Sequence, residues 1–222
     1  MKNEHICVSG IDPQTWRFVR PVFQTGLQRN FTMEGSTQII NHFNLVEMEF
    51  KYYQPGYVYH TEDWIINENF APKFIRRLYD QEIVNVLNIM AISDLNQAIQ
   101  LQNQSLFVVK TRQILDLWDE ISYGRFKVRI TFVDNAGTVH QRIPVTDLLT
   151  LAFIKYQKSK NGIYAPGLIN YFNRNPYRYI RIGLTRQFRG KYWKQVTALI
   201  TIPDLFNRYT FSFYENQIGT QV

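Results

Sequence analysis

The stretch that most constrains this chain is Tyr177 to Asp204, YRYIRIGLTRQFRGKYWKQVTALITIPD, which reads as two β-strands joined by a basic turn. Ile180, Ile182 and Leu184 fall on one parity of the first strand, and Tyr177, Tyr179, Arg181, Gly183 and Thr185 on the other. After the turn Gln187 to Lys191, Val196, Ala198, Ile200 and Ile202 alternate with Trp193, Gln195, Thr197 and Thr201. Successive side chains of a strand point to opposite faces, so one face of this hairpin is expected to be aliphatic core. The other would carry Tyr177, Tyr179, Arg181 and Trp193, with Arg186, Arg189, Lys191 and Lys194 around the turn. Rings and guanidinium groups on an exposed sheet make a stacking platform in a positive field. The plainer reading is that aromatic residues favour strands and that exposed Arg keeps a protein soluble.

The charge is placed unevenly. The net +7 of the 222 residues falls entirely in residues 160–222, which hold nine Lys or Arg against Asp204 and Glu215. A localised positive field attracts phosphates, so nucleic acid is the expected partner. The single cysteine, Cys7, excludes an intrachain disulfide and suits a reducing compartment. The opening residues MKNEHICVSG have no long apolar region, and no run approaches the roughly 18 apolar residues of a membrane span, so a cytoplasmic protein is expected.

Along the chain, HICVSGI and Trp16 to Val22 read as a first hairpin, in which Arg17 and Arg20 add basic groups. Residues 24–41 read as a loop, Asn44 to Tyr53 as one strand, and Tyr57 to Asn67 as extended. Apolar spacing from Pro72 to about Ile92 is helical, and Ser93 is placed to cap a second helix to about Gln102. Ser105 to Lys110 returns to strand, whereas Arg112 to Glu120 is ambiguous between helix and strand, with Leu115, Trp118 and the acids favouring a short helix or an irregular arm. Arg125 to Val133 alternates cleanly and presents Arg125, Lys127 and Arg129 on one face; Thr138 to Ile143 returns after the turn Asp134 to Gly137. Thr146 is placed to cap a helix over about Asp147 to Lys158. Ser159 to Asn175 reads as a loop, Tyr209 to Phe213 as a last strand, and Glu215 to Val222 as a frayed end.

No phosphate-cradling, dinucleotide or nucleophile-elbow motif occurs, and no cofactor is expected. The four histidines and Cys7 do not fall at metal-ligand spacing. His60, Glu62 and Asp63 form the one cluster of acid–base type; it suits either a polar strand end or a metal-dependent nuclease using Glu62 and Asp63.

Three paired motifs then carry a resemblance: HICVSGI with WRFVRPV, LVEMEF with HTEDWII, and RIGLTRQF with YWKQVTALITIPD. Together, over roughly residues 5–204, they resemble the bacterial dual OB-containing domain family, in which two OB-fold barrels are fused. The resemblance implies binding of nucleic acid or nucleotides and a place in defence or mobile-element systems, with no catalytic signature. It marks Trp16 to Val22, His60 to Trp64 and Gly183 to Arg186. Relatives carry a fuller Gly/Arg/Cys-rich segment between the first two strands, where this chain has only Ile11 to Thr15.

The expected architecture is therefore β-rich (α+β), two OB-like small barrels with an intervening helical block. Residues 1–104 would form the first half, with the helical block at about 72–102, and residues 105–222 the second. The expected function is non-catalytic binding of single-stranded DNA or RNA. The alternative is a structural subunit docked on a CRISPR- or transposon-type nucleoprotein complex.

Overall fold

A computed structural model of the chain describes residues 5–23, 27–55, 59–101, 103–162, 164–186 and 191–219. The chain divides into two compact units, residues 1–89 with 102–105, and residues 90–101 with 106–222.

In the first unit the strands are β1 (His5–Ile6), β2 (Gly10–Asp12), β3 (Arg17–Val22), β4 (Leu27–Gln28), β5 (Met33–Glu34), β6 (Thr37–Gln38), β7 (Asn44–Glu47), β8 (Phe50–Tyr53), β9 (Asp63–Ile66) and β10 (Lys73–Arg77). Four of them make one sheet in the order β2-β3-β9-β8, with β3 and β9 parallel and the outer pairs antiparallel. Residues 24–41, read as loop, hold the short strands β4 to β6 and a 3-10 turn at Arg29–Thr32. The single strand expected over Asn44 to Tyr53 is broken into β7 and β8, which pair with different partners, β10 and β9.

The helical reading from Pro72 is corrected at its start. Lys73–Arg77 is a fully exposed strand paired with β7, and helix α1 (Asp80–Met90) begins only after it. Phe74 and Leu78 thus belong to no helical stripe. Glu82 organises the start of α1: its Oε2 accepts from the Tyr79 N–H at 2.8 Å, and both its oxygens accept from Arg76. These bonds hold the Glu82 carboxyl at about 2.

The second unit adds β11 (Ala91–Ile92), α2 (Leu95–Gln100), β12 (Leu106–Ser122), β13 (Arg125–Asp134), β14 (Val139–Val145), α3 (Leu148–Asn161), α4 (Ala165–Arg174), β15 (Tyr177–Leu184), β16 (Lys194–Ile202) and α5 (Phe211–Gly219). The long strands pair in the order β12-β13-β14-β16-β15, and β15 pairs back onto β12. The result is a closed five-stranded barrel. Its one parallel contact joins β14 to β16 at Val145 and Val196. The run β13-β14-β16-β15 has the same directions as β2-β3-β9-β8 of the first unit, so both units carry the same antiparallel, parallel, antiparallel motif. Barrel closure removes exposed strand edges.

Strand β12 resolves the ambiguity of Arg112 to Glu120 in favour of strand, against the short helix or irregular arm that its composition favours. Its register against β13 shifts between Thr111 and Gln113 and again between Ile114 and Asp116, so Arg112 and Leu115 are extra residues. Each bulge resets which parity faces inward. Thr111, Ile114 and Leu117 are therefore the buried positions, three residues apart, and this imitates a helical period. Beyond the pairing with β15, Asn173 of α4 bonds both backbone groups of Ile114, at 2.8 and 2.9 Å.

Other local expectations are also corrected. Asp94, not Ser93, caps α2, and Asp147, not Thr146, caps α3, each accepting from the backbone N–H three residues on. Residues 165–174, read as loop, form α4 with Pro166 in its first turn. Tyr209 to Phe213 is no strand: helix α5 starts at Phe211. Tyr209 and Phe213 stack with centroids 3.9 Å apart. No helix among the described residues is long and apolar enough to cross a membrane.

Candidate nucleic-acid interface

The aliphatic parity of β15 enters the barrel core as expected, with Ile180, Ile182 and Leu184 buried. The partner strand behaves differently. Register shifts between Arg181 and Ile182, which makes Thr197 an extra residue of β16. Val196 and Leu199 then join the core cluster, while Ala198, Ile200 and Ile202 sit across from Arg181, Tyr179 and Tyr177. The face expected to be an open platform is thus lined by buried aliphatic neighbours. Tyr179 is 1% exposed and offers no ring to a base; burial raises its phenol above the usual range. Arg181 is half-buried and spends its guanidinium on Thr197, donating to Oγ1 and to the carbonyl, both at 3.0 Å. Tyr177 remains exposed.

The turn after β15 keeps more of its expected character. Its neck is closed by the Thr185 N–H to the Trp193 carbonyl and the Trp193 N–H to Thr185 Oγ1, both 3.0 Å. Trp193 is 57% exposed, and Arg186 and Lys191 are exposed. Arg189 lies outside the described residues. Lys194 is turned inward: its Nζ donates to Asn96 Oδ1 at 2.8 Å and sits 3.4 Å from His140 Nδ1.

The clean strand of the sequence, β13, presents Arg125, Lys127 and Arg129 outward while Val128, Ile130 and Phe132 fill the core. It pairs with the far half of β12 through a two-residue turn, Tyr123 and Gly124, with φ of 52° and 69°. Positive φ at both positions gives the turn the right-handed twist of the strands. Tyr-Gly lacks the Asn-Gly signature, so the pairing of β12 with β13, and with it the place of Trp118 and Tyr123 beside the expected Arg125, Lys127 and Arg129, is not legible in the sequence. Tyr123, at its tip, is 99% exposed. Trp118 is 44% exposed and lies directly across from Arg129. Lys127 Nζ stands 5.7 Å from the Tyr123 ring centroid and bonds Ser122 Oγ at 3.1 Å. Arg129 donates to the Arg142 carbonyl at 3.3 Å, and Arg142 is itself exposed. Two acids share this side, Glu120 across from Lys127 and Asp116 across from Thr131. Exposed basic and aromatic groups are thus found at the neck (Trp193), at Arg142 of β14 and along the β12–β13 hairpin.

In the first unit Arg17 is exposed on β3, but Arg20 is corrected from a surface cation to an internal one. Its Nε donates to Asp63 Oδ1 at 2.5 Å, with both side chains largely buried. Glu62 accepts from the Ser105 N–H at 2.6 Å and from Ser105 Oγ at 3.1 Å. The acid pair weighed as a nuclease site is therefore tied into the fold. Among the described residues, no three of His, Cys, Asp and Glu gather as a metal-ligand group.

A family model described as a dual OB-containing domain matches residues 1–199. No curated protein and no solved structure matches the chain. With the closed five-stranded barrel of the second unit and its strand motif repeated in the first, the chain belongs to the dual OB-containing domain family.

Proposed function

We propose that this protein binds single-stranded nucleic acid, without catalysing a reaction on it, across the outer face of β13 and β14 and the two loops that flank it. OB barrels generally use the second and third strands, with the loops after the first and fourth, for such ligands. Those elements here are β13, β14, the Tyr123–Gly124 tip and the connection from β15 to β16, of which Thr185, Arg186 and residues 191–193 are described. The observation that carries the reading is the exposed pair Trp118 and Tyr123 interleaved with Arg125, Lys127 and Arg129. Rings stack on bases regardless of sequence, and the cations track the phosphates.

The test is binding of fluorescent single-stranded DNA and RNA, titrated with salt. Trp118→Ala with Tyr123→Ala weakens binding by about 1–3 kcal/mol per stacked base. Removing Arg125, Lys127 and Arg129 lowers the salt slope by ~0.7 per lost phosphate contact. Unchanged affinity in both variants overturns the reading. A second reading draws on Ile121, which is 76% exposed on the same hairpin: the arm docks on a protein subunit of a larger nucleoprotein complex. Salt-insensitive binding to a protein, lost in Ile121→Asp, would favour it.

A further inference from the structure

Lys194, the first residue of β16, is half-buried and stands at the end of a chain of hydrogen bonds that the proposed binding of nucleic acid does not use. Asp134, the last residue of β13, is fully buried. Its Oδ2 takes His140 Nε2 at 2.9 Å, and its oxygens also accept from the Thr138 N–H at 2.8 Å and the Leu95 N–H at 3.3 Å. These bonds hold the Asp134 carboxyl below the usual carboxylate range against the opposing effect of burial. An ionised Asp134 only accepts, so His140 carries its proton on Nε2. Nδ1 is then a lone pair, and it faces Lys194 Nζ at 3.4 Å. The Phe132 ring lies 4.8 Å from the imidazole and Asn96 fixes the amine from the other side.

An amine within reach of a base, with that base oriented by a third group, is the general arrangement of an activated nucleophile. We propose that Lys194 is a reactive amine, served by His140 and oriented through Asp134, which captures an aldehyde as a Schiff base. Burial lowers the Lys194 ammonium from its usual range, with Asp134 and Asp94 opposing it, and burial likewise lowers His140. Both shifts enlarge the neutral fractions that the reaction needs.

The step balances without any further reagent. The Lys194 ammonium passes a proton to His140 Nδ1. The freed lone pair forms a bond to the carbonyl carbon, and the carbonyl π pair moves to oxygen, which takes the proton back. One N–H proton of the carbinolamine ammonium then passes by way of His140 Nδ1 to the hydroxyl, which leaves as water as the nitrogen lone pair forms the C=N bond, and a protonated imine remains on Nζ. The source of the aldehyde rests on the proposed binding of nucleic acid: in a single strand, loss of a base leaves a deoxyribose whose ring-opened form exposes an aldehyde at C1′. Capture consumes the amine and is not turnover.

The experiment uses two probes with the full chain: propionaldehyde, and a single-stranded oligonucleotide containing one abasic site. Each is reduced in place with cyanoborohydride and the adduct is mapped by mass spectrometry. Propionaldehyde at neutral pH is expected to modify Lys194 at least ten times faster than the mean of the other lysines, along a pH profile with its midpoint below that of ordinary lysines. His140→Gln slows the reaction at Lys194 and moves its profile to higher pH, and Lys194→Arg abolishes the adduct at that position. Equal labelling of all lysines in the unaltered protein overturns the proposal whether or not the His140 variant folds. The abasic oligonucleotide is expected to cross-link at Lys194. An oligonucleotide that binds but does not cross-link there also overturns it. If intact oligonucleotides do not bind, the nucleic-acid reading fails, and propionaldehyde still decides the reactivity of Lys194.

Discussion

Arg20 and Asp63 show how far one side chain's role depends on what a neighbouring strand brings to it. In sequence Arg20 reads as a surface cation and Asp63 as part of an acid–base cluster or a polar strand end, and pairing of β3 with β9 places them opposite each other. Burial opposes the Arg20 cation, and the hydrogen bond and charge of Asp63 more than offset it, raising its affinity for the proton. Removing one partner leaves a buried charge uncompensated, which costs far more than the intact pair contributes. Asp63→Ala is therefore expected to destabilise the protein by about 3 kcal/mol, read as a lower urea midpoint. Replacing both residues together, Arg20→Met with Asp63→Leu, restores most of that loss. A midpoint unchanged in Asp63→Ala would show that the pair is not desolvated.

At the scale of elements, β-bulges decide most of what is unexpected. The bulge at Thr197 turns the aliphatic parity of β16 toward Tyr179, and Gly183 stands directly beside it. A Cβ at Gly183 would meet Thr197 Cγ2 at 3.0 Å and Leu106 Cδ2 at 3.6 Å. Thr197 cannot turn away cheaply, because its Oγ1 accepts from Arg181 Nε and donates to the Arg181 carbonyl. Gly183→Ala is expected to cost about 1–3 kcal/mol through overpacking. Thr197→Ser removes the methyl group and should recover part of the loss in the double variant. Additive effects of the two changes in denaturant unfolding would disprove the contact. The alternation of β13, in contrast, is interrupted only toward its end, so Arg125, Lys127 and Arg129 stay on the face where periodicity places them.

For the whole molecule, His140 links stability to pH. Its folded affinity for a proton is lowered from 6.5, mainly by burial, with Lys194 acting in the same direction and Asp134 and Asp94 opposing. The unfolded chain then binds the proton more readily than the native one between these two values. By linkage, stability rises with pH through that window and is complete above about 6.5. Urea midpoints are expected to fall as pH drops below about 6.5, with a second loss below the usual aspartate range as Asp134 is protonated. His140→Gln should lack the first slope and keep the second. An identical pH dependence in that variant would assign the slope to other groups.

The sequence by itself determined that the chain is β-rich, where its cleanest strands lie, that its charge is concentrated in the last 63 residues, and, through three paired motifs, the family. Strand periodicity is local and survives wherever a strand runs without bulges, as β13 does along Arg125–Ile130. Only the tertiary structure decided which parity faces outward after a bulge: it buries Tyr179 and turns Arg181 and Lys194 inward, while Tyr177, Arg186, Lys191 and Trp193 stay exposed. Thr111, Ile114 and Leu117 look helical because two extra residues reset the register of β12. Trp118 and Tyr123 join Arg129 and Lys127 only because β12 and β13 pair through a turn with no common signature. Asp134 and His140 meet locally across the β13–β14 turn, whereas Lys194, distant in the chain, reaches His140 because closure of the barrel sets β14 beside β16. Periodicity reports what a residue's neighbours in the chain require. A site that spans strands depends on register, which is settled by packing across the whole barrel.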